Sequence, residues 1–185
     1  MAAEHLWFIE QTGWAVSVED KIFSSFLQRQ YEEGMALSRS SDLLELNALG
    51  APPPARYIAQ FRCKGLVRTG EGDIIEANCF VVGIWFPPDY LRHAEPAQIL
   101  TWFAPLNVFH PNINAPFICV GRISPGTTLV DILFQIFEIL TYNKVTPRED
   151  DALNKDACAW ARRNIARFPV DKRPLKRRAL ALNVD

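Results

Sequence analysis

The chain is poor in histidine and has no closely spaced cysteines. Only three histidines occur, and the four cysteines, at 63, 79, 119 and 158, form no Cys-x-x-Cys pair. A zinc site needs clustered His and Cys ligands, so none is expected. The same wide spacing argues against a disulfide framework. Neither sign of charge dominates: 20 Lys and Arg stand against 21 Asp and Glu, a formal net charge of -1. That balance excludes bulk electrostatic attraction to nucleic acid or to an anionic membrane. Long hydrophobic runs are missing too. The longest, residues 80–86, is far too short to cross a bilayer. The N-terminal apolar residues are interrupted by Glu4 and Glu10 and follow no basic leader, unlike a secretory signal. The expectation is a soluble, cytoplasmic protein with no metal and no cofactor.

What is present suits one domain. A length of 185 residues with 49% apolar content supports one sizeable core and is short for two. Residues 1–16 carry Leu6, Trp7, Phe8, Ile9 and Trp14 around Gly13, an aromatic extension suited to docking on the domain or on a partner. Ser17 with Asp20 three residues on predicts a helix start, and Val18, Ile22, Phe23, Phe26 and Leu27 recur at helical spacing to about Leu37. Alternation then predicts strands at Leu44 and Leu46 and at Tyr57, Ala59, Phe61 and Cys63, and further strands are expected over 74–86 and over 98–103. Gly70-Glu71-Gly72-Asp73 makes the turn into the third. Short turns between consecutive strands favour an antiparallel meander.

From Thr128, with Asp131 as its capping partner, the period becomes helical. Leu129, Ile132, Leu133, Ile136, Phe137 and Leu140 leave a narrow polar stripe of Asp131, Gln135 and Glu138, so this helix is expected to be mostly buried. A further helix is predicted from about Ala152 through Ala157, Trp160 and Ala161. The fold class is α+β: an N-terminal helix, a four-stranded antiparallel meander and C-terminal helices. The domain is placed at 17–168, followed by a basic tail over 169–185.

The candidate chemistry lies in the middle of the chain. Cys119 supplies a thiol, and His110-Pro111-Asn112, a few residues upstream, supplies an amide donor on a rigid turn. Taken singly, each reads as structural: a small buried thiol, a packed histidine, an ordinary turn asparagine. Cys63, Cys79 and Cys158 read as small core residues.

The combination changes that. Phe86-Pro87-Pro88-Asp89-Tyr90, then Pro96, an apolar strand, His110-Pro111-Asn112-Ile113, Ile118-Cys119, Ser124-Pro125, the buried helix and Asp150-Asp151-Ala152-Leu153-Asn154 follow in order. This series resembles the ubiquitin-conjugating enzymes over roughly residues 18–168. The resemblance implies that Cys119 accepts the C-terminal acyl group of a ubiquitin-like modifier from an ATP-dependent activating enzyme. It implies that Asn112 donates its amide to the oxyanion, or holds the loop that does so. His110 and Pro111 would support the active-site turn. Asp151 would orient and help deprotonate the acceptor lysine of a target protein.

The sequence departs from the family pattern in several places. Cys119 lies one position nearer His110, no tryptophan precedes Ser124-Pro125, and Arg92 stands where an aromatic faces ligases. The first helix has few basic residues. Such divergence resembles bacterial conjugating enzymes encoded beside their own modifier, activating enzyme and peptidase in anti-phage defence operons.

An alternative within the same fold is an inactive scaffold that binds a ubiquitin-like or pathway partner; retention of Cys119 argues for activity. Eight Lys and Arg residues fall between 162 and 178. They read first as a solvated face, next as a docking site for an acidic protein, and last as a nucleic-acid contact, since no aromatics interleave them.

Overall fold

The computed structural model describes residues 20–146 and 148–176. The aromatic extension at 1–16, Ser17 and the tail beyond Lys176 lie outside the described residues. The first helix, α1 (Lys21–Arg39), is capped not by Ser17 but by Asp20, whose carboxylate accepts from the Ile22 and Phe23 amides, each at 3.1 Å. Leu27, Gln30, Gly34 and Leu37 form its buried stripe. On the opposite face Arg29 pairs with Glu33 at 2.8 Å.

The main sheet takes β1 (Leu44–Leu49), β2 (Arg56–Phe61), β5 (Phe80–Trp85) and β6 (Leu100–Ala104), in that spatial order and antiparallel throughout. The expected meander is present. Two details differ. Residues 62–79 leave the sheet and form a satellite hairpin, β3 (Gly65–Arg68) against β4 (Ile74–Ala77), with Lys64 paired to Glu76 at 2.9 Å. The predicted Gly-rich turn is there, Thr69 N donating to Asp73 O at 2.8 Å, but it closes this hairpin rather than joining two sheet strands. The third sheet strand therefore starts at Phe80, paired with Phe61, and not at Ile74. The fourth strand starts at Leu100, because Gln98 belongs to the short helix α2 (Pro96–Ile99).

A two-residue hairpin follows, β7 (Ile113–Asn114) against β8 (Phe117–Ile118). The helix α3 (Leu129–Leu140) is then buried along most of its length, as its narrow polar stripe requires. Its cap is Thr128, whose Oγ1 accepts from Asp131 N at 3.1 Å. A second cap comes from α1: the buried Gln30 accepts from Leu129 N at 2.8 Å, which ties the two helices at the level of the core. Beneath them lie Leu44, Leu46, Tyr57, Ala59, Phe61, Phe80, Val82, Ile84, Leu100 and Trp102, the inward face of the sheet.

A 3-10 turn (Glu149–Asp151) precedes α4 (Lys155–Arg163), which opens three residues later than expected because Asn154 is its cap, accepting from Ala157 N at 3.0 Å. Leu66, Phe109, Tyr142, Ala157 and Ala161 form a second, smaller core between the satellite hairpin and α4.

The chain then runs past Phe168 as a packed strap. Val170 N donates to Thr141 O at 2.9 Å, and Leu175 is buried in the main core. Ordering one residue costs about 1–2 kcal/mol, while burying one leucine contributes about 1.5–3 kcal/mol. Leu175 alone cannot hold such a strap; the buried carboxylate of Asp171 completes the anchor, accepting from Lys64 N at 2.8 Å and from the Arg173 side chain. Burial acts to raise the Asp171 pKa, but these hydrogen bonds outweigh it and hold the group at about 2.

Gly65 joins the satellite hairpin to the core. A Cβ there would stand 2.5 Å from Phe80 Cζ and 3.0 Å from the Leu140 carbonyl oxygen, and Phe80 is fully enclosed. Gly65→Ala is therefore expected to cost about 1–3 kcal/mol, read from urea unfolding. An unchanged midpoint would mean that the hairpin and helix end separate freely.

Candidate active site

The segment leading to the candidate turn is strapped to the satellite hairpin: Phe109 N donates to Leu66 O at 2.8 Å, and Val108 bridges to Val67. This buries His110, 1% exposed, with its ring edge-on to Tyr142 at 4.3 Å between centroids. His110 Nδ1 accepts from Asn112 N at 3.0 Å, closing the Pro-containing turn. Burial lowers the imidazole pKa to about 3, with a backbone group of Lys144 acting the other way. At neutral pH His110 is an uncharged turn acceptor. Its Nε2 faces the Lys144 main chain without a well-formed hydrogen bond among the described residues.

Asn112, 4% exposed, faces Cys119 one rung beyond the β7–β8 hairpin. Cys119 N donates to Asn112 O at 2.8 Å, and Asn112 Nδ2 donates to Cys119 O at 3.0 Å. The other end of the carboxamide, Oδ1, accepts from Thr146 N at 2.9 Å. One side chain thus fixes the backbone of the candidate nucleophile and fastens it to a third segment.

The four thiols differ sharply. Cys63 and Cys158 are buried, and burial raises both pKa values, Cys63 to about 12. Cys119 is half-buried. Cys79, expected in the core, is exposed instead, and Gln60 Nε2 donates to its sulfur at 3.2 Å. The reason is the break between β4 and β5: Cys79 falls in the connection and not in a sheet strand.

Pro111 is buried, and its carbonyl accepts from Asn154 N at 3.1 Å, linking the turn to the start of α4. This bond brings the 3-10 turn carrying Asp151 towards the site. The Asp151 carboxylate itself is exposed and pairs with Arg148 at 3.7 Å; among the described residues it has no hydrogen bond to Cys119 or Asn112. His110, Pro111, Asn112 and Cys119 are therefore brought together, while Asp151 stands apart.

Sequence reasoning missed the brace formed by Tyr142, Lys144 and Thr146. Tyr142 OH donates to Phe109 O, and Lys144 Nζ donates to Val120 O. Their sequence, after a helix end, carries no motif. A cleft of about 420 Å³ opens beside the turn, lined by Arg68, Asn107, Ile113, Asn114 and Asn154 among others; Cys119 does not line it.

No family model matches the chain, and no curated protein matches it.

Burial of a neutral His110 makes stability fall with acid. The unfolded imidazole binds a proton near its ordinary pKa of 6.5, whereas the folded one does so only near 3. Unfolding therefore takes up a proton inside that window, and the stability contribution is whole above about 6.5 and is lost as pH falls towards 3. Between pH 7.5 and pH 5 the loss is expected to be about 2 kcal/mol by urea unfolding. His110→Gln should flatten this dependence; an equal slope in both proteins would contradict the burial.

Proposed function

We propose that the protein is a ubiquitin-like protein conjugating enzyme, an acyltransferase that carries its modifier as a thioester on Cys119. The observation that most supports this is the two-way backbone and carboxamide bonding of Asn112 to Cys119, a cysteine that is only partly buried. Cys119 as thiolate attacks the carbonyl carbon of the modifier's C-terminal acyl group, held as a thioester on an ATP-dependent activating enzyme. The new carbon–sulfur bond forms as the activating enzyme's thiolate leaves. A target lysine amine then attacks the same carbon, a carbon–nitrogen bond forms, and Cys119 departs. The amine's proton passes to an acceptor.

Asn112 has two amide hydrogens, and the bond to Cys119 O uses one, so the other is suited to the oxyanion. Asp151 is the proposed acceptor for the amine proton. Its pair with Arg148 is exposed on both sides, and such pairs contribute only about 0–1 kcal/mol, so opening it costs little. The partners in this reading are the modifier, the activating enzyme and a target protein. A bacterial anti-phage conjugation pathway in the cytoplasm is its finer part and rests on the sequence resemblance.

One observation favours the rival reading of an inactive scaffold: the Asp151 carboxylate is turned to Arg148 and not to the thiol. Mixing the protein with its cognate activating enzyme, modifier and ATP separates the two. The expected product is an adduct removed by dithiothreitol, lost in Cys119→Ala and retained in Cys79→Ala, the informative control because that thiol is the exposed one. Normal charging of Cys119→Ala would sink the site, and no adduct in the wild type would favour the scaffold.

A further inference from the structure

The segment after α3 touches the candidate site through alternate residues. Tyr142 reaches Phe109 and His110, Thr146 reaches Asn112, and between them Lys144 reaches Val120, the residue after Cys119. The Lys144 main chain is held firmly. Tyr142 adopts a left-handed φ of 61, rare for a residue with a side chain, and the Asn143 and Lys144 amides both donate to Glu138 O, at 2.8 and 3.0 Å.

The Lys144 side chain is held as well. Half-buried, it lies over Gly121, whose φ of +96 and missing side chain make room for it; a Cβ there would stand 3.1 Å from Nζ and 3.8 Å from Cε. Among the described residues no carboxylate pairs with this ammonium: Lys64 has Glu76, Arg62 has Glu45, Arg162 has Glu149, and Lys144 has only the Val120 carbonyl. A partly desolvated charge with no counter-ion acts on whatever anion forms nearby more strongly than a solvated surface lysine does.

We propose that Lys144 is the electrostatic positioning residue of the Cys119 site, pinning the Val120–Gly121 turn and supplying the positive charge that an anion at Cys119 meets. In acyl transfer that anion is the attacking thiolate and then the tetrahedral oxyanion, and this role rests on the proposed conjugating activity. The presence of the charge does not, so it is tested without modifier or activating enzyme.

The test compares alkylation of Cys119 by anionic iodoacetate and by neutral iodoacetamide, read by mass spectrometry at low ionic strength. The exposed Cys79 is followed in the same sample. The ratio of the two rates cancels thiol accessibility and reports local potential. Lys144→Met should lower the ratio at Cys119 by about three- to tenfold, the effect expected of one charge at about 10 Å with an effective dielectric of about 25–50. The ratio at Cys79 should not change, and Lys144→Arg should restore much of the loss at Cys119.

A ratio that stays at the wild-type value in folded Lys144→Met overturns the proposal and leaves Lys144 as a clamp only. An equal fall at both thiols also overturns it. If Lys144→Met does not fold, the wild type alone decides. Its ratio at Cys119 must exceed that at Cys79 and approach it in high salt; equal ratios at low salt overturn the proposal. Failure of the conjugation assay with a high, Lys144-dependent ratio would remove the enzyme and keep the charge.

Discussion

One carboxamide holds the candidate site together. Asn112 donates to the Cys119 carbonyl, accepts from the Thr146 amide and receives the Cys119 amide on its own backbone. Three segments that are distant in sequence meet there: the turn after Phe109, the strand end carrying the thiol, and the brace after α3. An unsatisfied buried polar group costs about 1–3 kcal/mol, so loss of this side chain leaves two backbone groups searching for partners. The thiol's position follows from that arrangement, and the thiol is the group on which the proposed chemistry depends.

The surrounding architecture is consistent with a site built for rigidity. The main core of sheet, α1 and α3 fixes the helix end from which the brace departs. The smaller core of Leu66, Phe109, Tyr142, Ala157 and Ala161 fixes the turn from behind, with the satellite hairpin and α4 as its walls. The strap is anchored through Asp171 to Lys64, just before the hairpin, and through Leu175 to the main core. Side chains locked by packing can hold a reacting group to the tolerance that acyl transfer needs. Ion pairs contribute to the outer face instead: Arg162 with Glu149, and Arg68, stacked over Phe109, with Asp156. These two basic groups are already engaged on the protein itself.

Much of this was legible in the residues, for identifiable reasons. The burial of α3 follows from its seven buried apolar positions, and its cap from Thr128 and Asp131. The meander follows from alternation. The third sheet strand begins later than its sequence suggests because Ile74–Ala77 does form a strand after the Gly-rich turn, and a local run of residues does not say which neighbour that strand pairs with. Cys79 was misread through the same error. His110, Asn112 and Cys119 come together as the motif order suggested, whereas Tyr142, Lys144 and Thr146 were invisible. Their contacts depend on a left-handed residue and a glycine gap, which no spacing encodes.

The most direct test is a single-turnover comparison of wild type and Asn112→Ala in the cognate conjugation system, with folding checked by circular dichroism. The account predicts that Asn112→Ala, which loses both the oxyanion donor and the tie that positions the thiol, loads modifier on Cys119 more slowly and discharges it to lysine about 10²–10³-fold more slowly. Loading and discharge both at the wild-type rate in a folded variant would contradict it.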